Sequence, residues 1–209
     1  AYGGPLTVNL GGDRRLLTLG KDGFKPTVLR LQTDAATDDL TWENPIDLAG
    51  EKLSIQVARS STTKRVFWRG AMSNSGEWLR SVTVRQNGKL ILCDGADLGS
   101  NILFTVNSSL QCLITNRQTL ACDFSGTGPL TKWGAGISVA AGTSDLSGEM
   151  RIYEGAWFAD GQHTTAGAYT VSNNAVLGGS GQIAPAAGNG VSVDGQLAPG
   201  AADGACGTL

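Results

Sequence analysis

"FSGTGPLTKWGAGISVAAGTSDLSGEMRIYEGAWFADG", residues Phe124–Gly161, decides how the chain is read. Glycine interrupts it every few residues, a density that in a linker would signal flexibility. Yet Trp133, Ile137, Val139, Ile152, Tyr153, Trp157 and Phe158 sit between the glycines in short, evenly spaced pairs. A flexible linker has no use for such residues. Apolar and polar residues alternating over a few positions mark a short β-strand. Glycine between two such runs reaches backbone conformations that other residues avoid, and so marks a corner.

The same unit of strand, corner, strand and corner recurs. It reads "VTVRQNGKLILCDG" at Val82–Gly95, "MRIYEGAWFADG" at Met150–Gly161, "YTVSNNAVLGGSG" at Tyr169–Gly181 and "VSVDGQLAPG" at Val191–Gly200. "LTVNLGGDRRLLTLG" at Leu6–Gly20 is a looser copy. A longer correspondence lies on top: "SNSGEWLR" (Ser73–Arg80) aligns with "SGTGPLTK" (Ser125–Lys132) at an offset of 52 residues. That alignment puts Gly76 on Gly128 and Arg80 on Lys132, and predicts two large repeats with the two cations at equivalent corners. No segment sustains the i, i+3, i+4 apolar pattern of a capped helix. "DAATDDLTWENP" (Asp34–Pro45) is the best candidate for a short helical turn or loop.

Composition agrees with an all-β chain rich in tight turns. Of 209 residues, 41% are apolar and only 16% charged, against a usual charged share of ~25%. The chain can therefore bury a core under a polar, mostly uncharged surface. Glycine is abundant at 30 residues while proline numbers 6, which excludes a collagen-like repeat. Net charge is -2 without basic or acidic blocks, which argues against a cationic nucleic-acid face or electrostatic attachment to a membrane. No run approaches the ~18 apolar residues of a membrane span. The chain starts at Ala1 with no visible leader and reads as a processed or excised piece.

Two all-β architectures compete. A sandwich needs longer antiparallel strands joined by hairpins. A parallel β-solenoid uses shorter strands joined by corners, each turn stacking on the last at ~4.8 Å. Closely spaced strand pairs with Gly and Asn between them favour the solenoid. At roughly 20–25 residues per coil the chain would make about nine coils, a rod of about 45 Å. The expected organisation is one continuous domain: lead-in coils or a cap over residues 1–41, then solenoid repeats over 42–209.

The quoted stretch resembles the autotransporter-associated β-strand repeat, with pattern G-x-G-x-L-x-K-x-G-x-G followed by a Thr/Ser-rich turn. Gly126, Gly128, Leu130, Lys132, Gly134, Gly136, Gly148 and Gly155 match it in order. "VLGGSGQI" (Val176–Ile183) and "VSVDGQLAPG" resemble segments that follow such repeats, and "WENPIDLAGEKLSIQV" (Trp42–Val57) one that precedes them. The similarity runs from about residue 42 onward. It implies a right-handed parallel β-helix with few or no helices, within a large secreted or cell-surface bacterial protein. It names an architecture and no activity; with low charge and no catalytic constellation in the sequence, the expected role is an extracellular, non-catalytic structural or adhesive segment, the alternative being a polysaccharide-binding or polysaccharide-degrading β-helix. The chain departs from the family in carrying four cysteines. It also ends at Cys206–Leu209, where such repeats begin another strand, so it reads as a piece of something longer or a subunit continuing into a neighbour. Unpaired strands at solenoid ends favour end-to-end association with further copies.

Residues that carry chemistry are few. No GxSxG, HExxH or phosphate loop occurs. His163, the single histidine, lies in "DGQHTTAG", read as a turn. The four cysteines, Cys93, Cys112, Cys122 and Cys206, form no CxxC pair, so neither a metal site nor a cofactor is expected. Two disulfides, one disulfide or buried free thiols all fit the count. Export would favour at least one bridge among Cys93, Cys112 and Cys122. Asp38, Asp39, Glu43 and Asp47 surround Trp42. Paired carboxylates beside a tryptophan suit a host or environmental glycan, by stacking and by acid–base chemistry. Asp38, Asp39 and Trp42 are therefore the candidate ligand-binding residues, and a solvated loop over the end of the solenoid is the competing reading. Trp68, Trp78 and Trp133 flank the apparent repeat junctions and are expected to pack over coil edges.

Overall fold

The computed structural model describes residues 6–8, 16–19, 28–31, 39–57, 65–85 and 89–200. Among them the protein is all-β with no helix, and parallel sheets stack into a β-solenoid. Among the described residues no helix is long and apolar enough to cross a membrane.

The chain visits three faces in strict rotation. The first face is one nine-stranded parallel sheet. It comprises β1 (Leu6–Val8), β4 (Leu40–Trp42), β7 (Arg65–Trp68), β10 (Lys89–Cys93) and β12 (Leu110–Leu113). It continues through β15 (Leu130–Trp133), β17 (Met150–Ile152), β20 (Tyr169–Val171) and β23 (Val191–Val193). The second face begins with β2 (Leu17–Thr18), β5 (Ile46–Asp47) and β8 (Met72–Ser73). A bridge through Leu98 carries it on to β13 (Arg117–Leu120), β16 (Ile137–Ala140), β18 (Gly155–Ala159), β21 (Ala175–Gly179) and β24 (Gln196–Pro199). The third face holds β3 (Val28–Leu31), β6 (Leu53–Val57), β9 (Arg80–Arg85), β11 (Ile102–Val106) and β14 (Asp123–Ser125). It continues through a bridge at Ser144 to β19 (Gln162–Ala166) and β22 (Gln182–Pro185). The described segments before residue 42 stack on the same three faces as those after it.

Register explains which residues face inward. On the first face Leu40, Val66, Leu90, Leu110, Leu130, Met150 and Tyr169 form one inward column. Trp42, Trp68, Leu92, Cys112, Lys132, Ile152 and Val171 form the next. From Leu90 to Met150 the period is 20 residues. Because side chains alternate across a strand, a fixed period returns the same positions to the interior at every turn. The columns merge into a single apolar core running along the rod.

Two sequence expectations are corrected here. The 52-residue correspondence is not a structural repeat. Arg80 opens β9 on the third face, whereas Lys132 lies in β15 on the first. Within Asp34–Pro45, residues 34–38 lie outside the described residues, and Leu40–Trp42 is strand β4 where a helical turn or loop was expected.

The repeat glycines serve two distinct needs. Gly134 takes φ 81°, a left-handed conformation that closes the corner after β15. Gly136 is required for proximity: a Cβ there would collide with the Asn116 carbonyl one rung away.

Candidate functional site

The first candidate cluster comes apart in the structure. Trp42 is only 5% exposed and points into the core. Its ring stacks on Trp68 with centroids 5.3 Å apart and planes at 17°. Each indole N–H donates to a main-chain carbonyl two residues on, Trp42 to Asn44 at 2.7 Å and Trp68 to Gly70 at 2.6 Å. A sugar cannot reach a ring so placed, because β4 turns its alternate residues inward. Asp39 lies outside the core and grips Arg65 in a fork, Oδ2 to Nη2 at 2.6 Å and Oδ1 to Nε at 2.9 Å. The hydrogen bonds that Arg65 donates to the Asp39 carboxylate raise the Arg65 pKa above its usual value. Asp38 lies outside the described residues. Asp47 is 8% exposed and serves a corner, accepting from the Ala49 and Ser75 N–H groups and the Ser75 hydroxyl. Burial alone would raise its pKa, but these bonds, led by those from Ser75, hold it below the usual value.

The cysteines are also corrected. Cys93, Cys112 and Cys122 are free and buried, with no bridge among them. Cys112 stacks in register on Leu92 inside the rod, while Cys93 is one residue out of register with it, facing Leu113. Neighbouring residues of a strand point to opposite sides, so these two thiols diverge. Burial raises the pKa of all three, that of Cys112 to about 12.

Lys132 is fully buried in the column that holds Trp42 and Cys112. Its ammonium donates to four main-chain carbonyls: Gly134 at 2.5 Å, Trp133 at 2.9 Å, Glu154 at 3.2 Å and Ile114 at 3.4 Å. It thus satisfies carbonyls at the corner that leads from the first face to the second. Burial pulls its pKa down to about 8, opposed by Cys112 and by the carboxylates of Glu154 and Asp94. Leu130, Gly126, Gly128 and Gly155 take structural places around it: Leu130 in the inward column, the three glycines at close approaches between rungs. His163 is 2% exposed and its pKa is pushed down to about 4 by burial, with the Ala140 carbonyl opposing. Its turn-like sequence hides a strand, β19.

The aromatics divide. Trp157 is buried, Trp133 is 40% exposed and stacks on Tyr153 at 4.3 Å, and Trp78 stands 69% exposed beside exposed Leu79. Of the three tryptophans expected to pack over coil edges, Trp68 lies inside the core, Trp78 stands exposed, and Trp133 stacks on its neighbour one rung on along the outside of the rod.

The surface that sequence reading missed lies where the second face turns into the third. An open depression of about 290 Å³ is lined by Asp123, Thr143, Asp145, Gln162 and Thr164. A second, of about 640 Å³, shares Thr143 and Gln162 and adds Asp160, Ser180 and Gln182. The two form one shallow groove across successive rungs, with Leu103 and Phe124 also lining the first depression. Gln162 registers on Gln182, and Phe124, Ser144 and His163 bridge just after Asp123, Thr143 and Gln162. Two of its carboxylates also brace the rod: Asp123 accepts from the Thr143 N–H at 2.8 Å and Asp160 from the Ser180 N–H at 3.0 Å. The 20-residue period was the signal that would have revealed this alignment.

Comparison with known proteins finds no matching family model, curated protein or solved structure.

Proposed function

We propose that the chain is a non-catalytic structural or adhesive rod segment of a large secreted or cell-surface bacterial protein, able to associate end to end. The observation that carries the reading is where the polar side chains go. Asp94 accepts from the Thr115 and Asn116 N–H groups, Asp123 from Thr143 and Asp160 from Ser180, each bond tying one rung to the next. Lys132 and Asn74 likewise serve main-chain groups. Chemistry-bearing residues so employed build a rod. The resemblance to the autotransporter-associated repeat supports the surface location.

The last described rung supports association. Leu197 occupies the inward column of Trp157 and Leu177 yet is 51% exposed, and Val191 in the column of Leu110 is 42% exposed. Among the described residues no strand covers β23 or β24 on their outer side. Open strand edges beside exposed core positions invite a further rung from another copy. Sedimentation velocity over a wide concentration range, with electron microscopy, tests this: growing rods of constant width are expected. A monomer at every concentration would overturn the self-association.

The groove favours a second reading, binding of a neutral glycan along the rod. Its amides, hydroxyls and carboxylates recur at the ~4.8 Å strand spacing. A glycan array would show binding that Gln162→Ala and Asp145→Ala abolish, and a polysaccharide panel analysed for products would separate binding from degradation. A blank array removes this reading.

A further inference from the structure

The rod core is apolar along most of its length, but its character changes where three inward columns meet. On the second face Ser138 and Trp157 follow each other in register. On the third, Ser144 is followed by His163. On the first stands Tyr169, whose hydroxyl lies 3.2 Å from His163 Nδ1. Trp157 and His163 are each only 2% exposed. Trp157 Nε1 and His163 Nε2 have no hydrogen-bond partner among the described residues. Both residues line an enclosed cavity of about 10 Å³, together with Ser144, Tyr169, Leu146 and Met150.

We infer that this cavity is a binding site for a single structural water molecule, which accepts from the Trp157 indole N–H and completes the bonding of His163 Nε2. The volume is about that of one water-sized probe, and an interior water needs between two and four polar partners. A buried polar atom left without a partner is costly, and one water here satisfies two at once. The indole can only donate, while a water can donate or accept, so the site works with either imidazole tautomer. A larger ligand has no room, and an apolar one would leave both nitrogens unpaired.

A high-resolution crystal structure of the chain tests the site directly. One isolated density peak is expected within about 2.7–3.2 Å of both Trp157 Nε1 and His163 Nε2, and the Trp157→Phe variant should lose it. Direct contact between the two side chains, or a cavity without density, would overturn the assignment. A second measurement needs no variant. In the wild-type protein the Trp157 indole proton should show a cross-relaxation peak to a long-lived water in NMR, and its absence would equally refute the site.

Discussion

Gly136 packs so closely on the neighbouring rung that an alanine methyl there would strike the Asn116 carbonyl. Backbone must move to admit it, so Gly136→Ala should cost about 1–3 kcal/mol in urea unfolding, the usual range for an overpacked site. Gly190 has open space around the same position, and Gly190→Ala should change stability by less than ~0.5 kcal/mol. Lys132 gives a pH signature. In the unfolded chain its amine holds a proton up to about 10.5, whereas in the fold it releases it near 8. Between those values the unfolded state binds more protons, so this group makes stability rise with pH and penalises the fold fully below about 8. The span corresponds to about 3 kcal/mol. The buried thiols act oppositely: burial raises their pKa values, so they weaken the fold above about 9. The measurable quantity is therefore a difference. Wild type minus Lys132→Met should gain stability from pH 8 to 10.5, and identical pH profiles would refute the depressed lysine.

Corners are the elements that set this fold. The one around Asn74 joins three turns of chain: its side chain accepts from the Gly50 and Gly76 N–H groups and donates to the Trp78 and Asn101 carbonyls. Ala49 and Asn101, both at positive φ without being glycine, flank it. Asn74→Ala would strand four main-chain groups and should destabilise by about 2–4 kcal/mol, read as a lowered melting temperature. Corners were also what sequence reading saw best. The strand–turn–strand units at Val82–Gly95 and Met150–Gly161 are present as β9–β10 and β17–β18. They are nevertheless different corners, third face to first and first face to second. Apolar alternation looks the same on every face, which is why Arg80 and Lys132 looked equivalent. The true period hides in Leu90, Leu110, Leu130, Met150 and Tyr169, whose side chains are interchangeable for packing and so keep little identity. Trp42 was misplaced for a related reason: a tryptophan among carboxylates looks exposed until strand alternation sends it inward and leaves Asp39 outside.

At the scale of the whole molecule, the strands run around the rod and their ladder hydrogen bonds run along it. The parallel, in-register stacking has a mechanical consequence. A pull on the two chain ends cannot shear all rungs at once; it must peel the outermost turn before the next is loaded. From Leu90 to Met150 each turn stores 20 residues, or roughly 70 Å of extended chain. Single-molecule stretching should therefore give a sawtooth of near-equal steps of that length in place of one large rupture. A rod built this way yields in instalments, spreading a sudden load over many small events while the inner turns stay intact.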